Sequence, residues 1–521
     1  MDRISTTLSE LLRSTRPEFR VFLIHPSSCG KAALAATLAT SEHLGLAYIA
    51  ASLQRINVST RIIDLESDFR NPEEIAYLVV KEKCRLVGFS PTSKSARNAC
   101  ELGRAIKAVS SQTIIVWGGH LATGLGSEAF QIAPEIDAIV TGYAETIAPQ
   151  LALALALHNR MLHHPQVVLN SRIAWSTVEV VADASLPTWT ELLPVRSLSA
   201  EIYKQTGARI VTSLGCLFDC TFCTTPFFSG RRLQQRSMTH VLDEIMQLSE
   251  LGVSRVWIND DLFIDGSPAS RVRGREFATR FHARFPRMRF RPMCRATTFK
   301  NDLELLSILT ASGMDAIFIG LESGDDGALA ELRKHSTSVL GQWVAHRIDD
   351  LGIVLQPGFI MFTPDSTFDM LRNNVNFLHE IGQLYRFFPV TRTSLGFPGT
   401  DLWKQLHASG RIDLERSTPF LIYPQFARQE IRNLSVAFEL LEEEFASVDS
   451  QLYRLFGKQA LPVSIRASLC DQIRRWLLGA LELAASGAST ENIVAAAAPL
   501  HERCAFFLES ALNQQEVDGT S

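Results

Sequence analysis

Short apolar runs alternate with amphipathic stretches through the first third of the chain. Residues 21–24, 60–63, 86–89, 114–117 and 138–140 are three- or four-residue runs rich in Val, Ile and aromatic side chains, which assigns them to buried strands. Helical spacing lies between them at 44–53, 72–81, 96–109 and a short piece near Ser127. Five strands separated by helices predict a parallel, doubly wound sheet covered on both faces, with its ligand site at the carboxyl ends of the strands. Those ends read His25-Pro26-Ser27-Ser28, Ser90-Pro91-Thr92-Ser93, Gly118-Gly119-His120 and Gly142-Tyr143-Ala144-Glu145. Small residues there let a large flat ligand approach the backbone closely.

From about 168 to 207 the periodicity fades and Pro187 and Pro194 appear, as in a surface linker. A second alternating series begins at Arg209, with strands expected at 210–213, 253–258, 288–295, 316–321, 354–361 and roughly 385–393. Val241, Leu242, Ile245 and Leu248 share one helix face, and Gly252 follows as a terminator. Six βα units suit a partial version of the eightfold barrel, which also places chemistry at the carboxyl ends of its strands. Beyond about Gln425 the pattern is helical and alanine-rich. The division expected is 1–160 for the first domain, 161–207 for the linker, 208–424 for the partial barrel and 425–521 for a C-terminal helical domain.

At 521 residues the chain exceeds one core, consistent with several domains. A net charge of −4 gives no reason to expect nucleic acid or an anionic membrane as partner. Residues 1–18 mix charges with leucines, unlike a signal peptide, and the richest apolar stretch, 151–157, is too short to span a bilayer. A cytoplasmic location is therefore expected. In that reducing compartment the nine cysteines read as thiols, metal ligands or core residues.

Three of those cysteines, Cys216, Cys220 and Cys223, fall within eight residues just after the first strand of the barrel series. Soft thiolates so placed suit zinc or iron–sulfur. No fourth Cys or His stands at zinc-finger spacing, since His240 is 17 residues on and within a helical segment. Three ligands leave one iron of a 4Fe–4S cluster open, whereas a structural zinc site is closed by four. A zinc site completed from elsewhere and three unrelated core thiols are the alternatives.

CxxxCxxC after the first strand of a βα barrel resembles the radical S-adenosylmethionine superfamily, and the similarity extends over about 209–400. The resemblance implies that the open iron binds the amino and carboxylate groups of S-adenosylmethionine, whose one-electron cleavage gives methionine and a 5′-deoxyadenosyl radical. Phe222 matches the aromatic beside the adenine. Asp260 and Asp261, in Asn259-Asp260-Asp261, match the polar groups on the substrate's ammonium. Arg295 matches the residue on the methionine carboxylate, and Gly320, Glu322 and Ser323 the ribose-contacting segment, with 358–362 passing near the adenine. Leu214 departs from the arginine common before Gly-Cys, a change expected to alter packing rather than ligation.

The first domain is similar to the cobalamin-binding domain fused to one branch of that superfamily. Leu44-Gly45-Leu46-Ala47-Tyr48, Val87-Gly88-Phe89-Ser90, Trp117-Gly118-Gly119-His120 and 137–142 carry the likeness. It implies corrinoid contacts from Ser90, Thr92, Ser93, Gly118, Gly119, His120, Gly142 and Glu145. His25 is the nearest match to the histidine of Asp-x-His-x-x-Gly, but Leu23 replaces the Asp and Ser28 the Gly, so a corrinoid held without its own base or a protein histidine is expected. Tyr143-Ala144 also departs from the usual Gly-Glu-x-Glu. Arg231, Arg232 and Arg236 follow the cysteine loop and read as a solvated basic segment.

Together these resemblances imply a C-methyltransferase with a 4Fe–4S cluster, S-adenosylmethionine and methylcobalamin. It would act on a small-molecule or peptide substrate and draw electrons from an external one-electron reductant such as flavodoxin or ferredoxin. Ring formation, rearrangement or oxidation without methyl transfer is the first alternative, and a non-catalytic corrinoid or iron–sulfur carrier the second. A methylthiotransferase is disfavoured, since Cys29, Cys84 and Cys100 are scattered over separate segments.

Overall fold

The computed structural model describes residues 3–4, 19–28, 42–68, 70–180, 188–456, 463–500 and 504. Cys29 lies outside them. In the first domain β1 (Arg20–His25), β2 (Ser59–Asp64), β3 (Leu86–Phe89), β4 (Ile114–Trp117) and β5 (Ala138–Val140) pair in parallel in the order β2-β1-β3-β4-β5. An antiparallel strand, β6 (Val167–Leu169), adds to the β5 edge. Helices α1 (Leu44–Arg55), α2 (Pro72–Lys81), α3 (Ala96–Val109), α4 (Gly119–Leu125) and α5 (Ile147–His158) cover the two faces. The starts of these helices are chemically marked. Asn71 closes a capping box with Glu74 ahead of Pro72, and the His43 imidazole accepts the Leu46 N–H at the start of α1. One core packs Ile75, Val79, Ile106 and Trp117 against the sheet, and the other packs Leu46, Leu53, Leu151 and Leu155.

The barrel strands are β7 (Ala208–Ile210), β8 (Arg255–Ile258), β9 (Arg289–Arg291), β10 (Met293–Arg295), β11 (Ala316–Glu322) and β12 (Val354–Phe359). They pair in parallel as β7-β8-β9 and β10-β11-β12. Pro292, with no N–H to give the ladder, separates β9 from β10. The helix Met238–Glu250, α6, buries Val241, Leu242, Ile245 and Leu248, as its periodicity predicts, and Gly252 follows with φ +84°.

The expected strand at 385–393 is instead a 3₁₀ turn, Phe388–Thr391, with Pro389 at its start. Proline fixes φ near −65° and cannot donate, so only Thr393 bridges to Phe362 and extends the sheet. The described residues between 161 and 207 hold β6, the strand Thr177–Val180 and the helix Ala200–Thr206. The C-terminal helices α7 (Gln429–Phe456) and α8 (Val463–Ala485) share the barrel's core rather than building their own. Phe387 stacks on Phe445 at 4.3 Å, and Phe438 meets both Phe362 and Trp476. Among the described residues no helix is long and apolar enough to cross a membrane.

Candidate functional site

Backbone pairing leaves β7 after Ile210 and resumes in a two-residue antiparallel pairing, Ser213–Leu214 with Gln234–Gln235. The chain then turns at Gly215 (φ +94°), where an added Cβ would overlap the Arg232 carbonyl oxygen. Only glycine fits that turn. Two carboxylates from the end of β8 hold the turn. Asp260 accepts hydrogen bonds from the Thr212 N–H (2.6 Å), the Thr212 hydroxyl (2.6 Å) and the Ser213 hydroxyl (2.7 Å). Asp261 accepts from the Gly215 N–H (2.9 Å) and the Thr225 hydroxyl (2.8 Å).

Sequence resemblance assigns both carboxylates to the substrate's ammonium; in the structure Asp260 is engaged by the loop instead. The two adjacent carboxylates differ in burial. Asp260 is fully buried, and the three donors take up its oxygens. Asp261 keeps an open side toward the cavity described below.

The three thiols are free. Burial pushes the Cys216 thiol up and the Cys223 thiol up to about 11, which makes them poor nucleophiles near neutrality and leaves deprotonation to a bound metal. Arg295, at the end of β10, directs one guanidinium nitrogen to the Cys220 Sγ (3.2 Å) and another to the Lys334 carbonyl, with its plane over the Phe218 ring at 3.9 Å. Its Nε is buried without a partner. Glu322, with φ +67° after an irregularity in β11, ion-pairs with Lys334 (2.7 Å). Ser323 and the Gly324 N–H both bond the Asn374 side chain at 2.7 Å. Gly320, Glu322 and Ser323 therefore form a braced strand end beside Arg295. They do not line the cavity.

A cavity of about 670 Å³ opens between the first domain and the cysteine loop. Ser90, Thr92, Ser93, Gly118, Gly119, His120, Gly142 and Glu145 line it from the sheet ends, and Phe222, Cys223, Asn259 and Asp261 from the barrel. It continues between the sheet and helices α1 and α5 as an apolar slot walled by Val21, Leu23, Leu53, Leu86, Val116 and Leu151. The two sides meet through aromatic rings. His120 stacks on Phe228 at 4.0 Å, and Tyr143 meets the same ring edge-on at 4.8 Å. At Gly124 in α4, an added Cβ would overlap the Pro398 carbonyl, so the domains touch backbone to backbone.

Burial depresses the His120 and His43 imidazoles, the latter to about 3, so both are neutral. His120 nevertheless keeps open surface toward the cavity. His43 accepts the Leu46 N–H through Nδ1, so its Nε2 carries the proton toward the Ser90 hydroxyl (3.1 Å) and orients it. Burial alone drives Glu145 up to about 7.

Sequence reasoning missed His43, Phe228, Phe397 and Pro398. A histidine just before a helix that follows the first strand was the available signal for His43. Arg236, read as solvated, is buried in an ion-pair network. It bonds Glu244, the Val211 carbonyl (2.8 Å) and the Tyr48 hydroxyl (3.3 Å), while Arg196 joins Glu244 to Glu42. Leu214, the departure from the expected arginine, packs on the cluster of Leu44, Tyr48 and Val211.

The donor set fits a cluster better than a single ion. A structural zinc ion is closed by four protein ligands, whereas the cysteine loop supplies three free thiols. Three thiols spread along one loop suit separate corners of a cubane, and the cationic Arg295 at Cys220 suits its negative charge. On the other side, small residues at the sheet ends and an apolar slot behind them fit a flat ring with an apolar tail.

Two family models match the chain, the B12 binding domain over residues 30–152 and the radical SAM superfamily over residues 210–345. An uncharacterized methyltransferase of Pyrococcus horikoshii is 23% identical over 375 residues, covering 70% of this chain and 78% of that protein. The hopanoid C-3 methylase of Methylococcus capsulatus is 24% identical over 411 residues, 74% of this chain and 72% of that one. In fold, the chain is similar to the cobalamin-dependent S-adenosylmethionine radical enzyme OxsB with aqua-cobalamin bound. The TM-score is 0.71 at 17% identity, covering 97% of this chain and 82% of that one.

Proposed function

We propose that this chain, a cobalamin-dependent radical S-adenosylmethionine enzyme of the methyltransferase group, moves a methyl group to an unactivated carbon of a small biosynthetic intermediate in the cytoplasm. The observation that carries the reading is a cavity with the cysteine loop on one wall and the ends of the parallel sheet on the other. When bound, the cluster with S-adenosylmethionine supplies a hydrogen-abstracting radical and cobalamin supplies the methyl group.

The chain's own residues bind, orient and exclude water. Cys216, Cys220 and Cys223 would hold the cluster, and Asp260 and Asp261 fix the loop that presents them. Arg295, with its unpartnered Nε, is placed for a carboxylate beside Cys220. Phe222 and the Gly320–Ser323 segment flank that position. Ser90, Thr92, Ser93, Gly118, Gly119, His120, Gly142 and Glu145 would seat the corrinoid, with the apolar slot beyond them open to its tail. The largely apolar lining keeps water from a reactive carbon radical.

The test is anaerobic reconstitution with iron, sulfide and cobalamin, then reduction in the presence of S-adenosylmethionine deuterated in its methyl group. The expected result is 5′-deoxyadenosine together with the deuterated methyl on the enzyme's cobalamin. Replacing the three cysteines by alanine should abolish the nucleoside and leave cobalamin binding intact. Undiminished nucleoside in that variant would overturn the assignment, and nucleoside without methyl labelling would favour cyclisation or oxidation.

A further inference from the structure

Glu145 is a buried carboxyl without a charged partner. It stands two residues ahead of α5, is 7% exposed and lines the cavity. A carboxylate so placed would ordinarily meet the positive end of the helix. Glu145 makes no such bond: apart from its own N–H it has no hydrogen-bond partner among the described residues. No Lys or Arg stands among the described residues that line the cavity.

The other titratable groups on the cavity wall supply no counter-charge. At α1, burial raises the Tyr48 hydroxyl and pushes the His43 imidazole down to about 3, so both are neutral. His120, after β4, is lowered by burial as well. Tyr143, after β5, is raised by burial, with Asp261 and Glu145 adding to the effect. The barrel wall brings Asp261, acidic like Glu145, and Cys223, which burial pushes up to about 11. Burial of Glu145 is therefore opposed only by its own N–H, and it pushes the carboxyl up to about 7.

We propose, on the corrinoid assignment above, that Glu145 works as a carboxylic acid, pairing its O–H and C=O with a primary carboxamide on the corrinoid rim, so that cofactor retention depends on pH. A corrin rim carries several such amides, each with two donors and one carbonyl acceptor. A protonated carboxyl matches one of them at two points, its O–H donating to the amide oxygen and its carbonyl accepting an amide N–H. An ionised carboxylate can only accept, and it would leave the amide oxygen unpaired where the cofactor has displaced water. Seating the corrinoid also strips water from the carboxyl itself, which penalises the charged form further.

The experiment measures the Kd of methylcobalamin, whose own groups do not titrate near neutrality, by calorimetry between pH 6 and pH 8 on the full chain reconstituted with iron and sulfide. Where only the protonated protein binds well, the apparent Kd grows with the ionised fraction, and a pKa near 7 makes binding about tenfold weaker at pH 8 than at pH 6. At pH 8, binding should take up about one proton per corrinoid, read from the difference in heat between phosphate and Tris buffers. Glu145→Gln keeps a donor and a carbonyl acceptor but cannot ionise. It should match wild type at pH 6 and hold that affinity at pH 8, whereas Glu145→Ala should bind weakly at both.

A wild-type affinity that is unchanged between pH 6 and pH 8, or that strengthens as pH rises, would overturn the acid–amide pairing. So would a Glu145→Gln variant that keeps the wild-type slope, since another group would then be titrating, or one that binds as weakly as the alanine variant. Proton uptake needs no variant, and its absence at pH 8 would overturn the pairing by itself. A wild-type chain that binds no methylcobalamin at either pH would instead overturn the corrinoid assignment.

Discussion

Replacing Asp260 by alanine should unfasten the cysteine loop without touching a cysteine. The carboxylate is fully buried and accepts three hydrogen bonds, from one backbone N–H and two hydroxyls, and Thr212 and Ser213, which donate them, are each 1% exposed. The hydroxyls can turn to other acceptors, but the Thr212 N–H cannot. A buried donor left unmade costs about 1–3 kcal/mol. The loss is offset in part because burial already strains the ionised carboxylate and raises its pKa. The net destabilisation expected is about 1–2 kcal/mol, and about half that for Asp260→Asn, which keeps one acceptor for the N–H.

The assays are thermal unfolding, iron per chain after reconstitution, and hydrogen exchange at the Thr212 amide. Asp260→Ala should lower all three measures of order, and Asp260→Asn should fall between it and wild type. The opposite pattern, with unchanged melting and iron content but weakened S-adenosylmethionine binding, would refute the clamp and restore the role that sequence resemblance suggests.

Gly215→Ala should be more damaging than any conservative change nearby, because a Cβ there meets the Arg232 carbonyl at a φ of +94°; the expected result is a loss of most reconstituted iron, and near-normal iron would count against the turn. Glu145 gives a pH prediction. Its folded pKa near 7 lies above the unfolded value near 4.5, so between those limits the folded chain holds a proton that the unfolded chain has released. Stability therefore falls as pH rises through that window, by about 3 kcal/mol in total, and levels off above it. Glu145→Gln should remove that slope, so melting curves of the two proteins should diverge between pH 5 and 8. Parallel curves would show that the carboxyl is not desolvated.

Legibility in the sequence followed the range of the forces involved. Strands β3, β4 and β5 are readable to the residue because each is an apolar run bounded by polar or glycine residues. The edge strand β6 is three half-buried residues, too short and too little buried to carry a period. At 385–393 the composition is β-like, but Pro389 governs the backbone there. The site divides similarly. The cysteine spacing and the order of strand ends are local in sequence, so those residues could be named. Which of two adjacent carboxylates turns inward depends on Thr212 and Ser213, nearly fifty residues earlier. Arg236 looked solvated because the Tyr48 and Val211 groups that enclose it come from distant segments.

That same network bears on how two halves of a site can act on one carbon. Glu42 stands just ahead of α1 in the corrinoid-side domain, Arg196 in the connecting segment, and Glu244 and Arg236 in and before α6 of the barrel. Burying such charges gains little over apolar packing and costs several kcal/mol if one partner is lost, so its distinctive effect is to specify one relative placement of the parts. Tyr48 extends the network to the cavity wall, and the Gly124–Pro398 contact admits no slack on the other side. Hydrogen abstraction from one wall and methyl delivery from the other require reacting atoms within about 3–3.5 Å of attack geometry. A joint fixed by directional ion pairs on one flank and backbone contact on the other suits that demand. A hinge between independent domains would relax it, leaving the substrate alone to bring the two halves together.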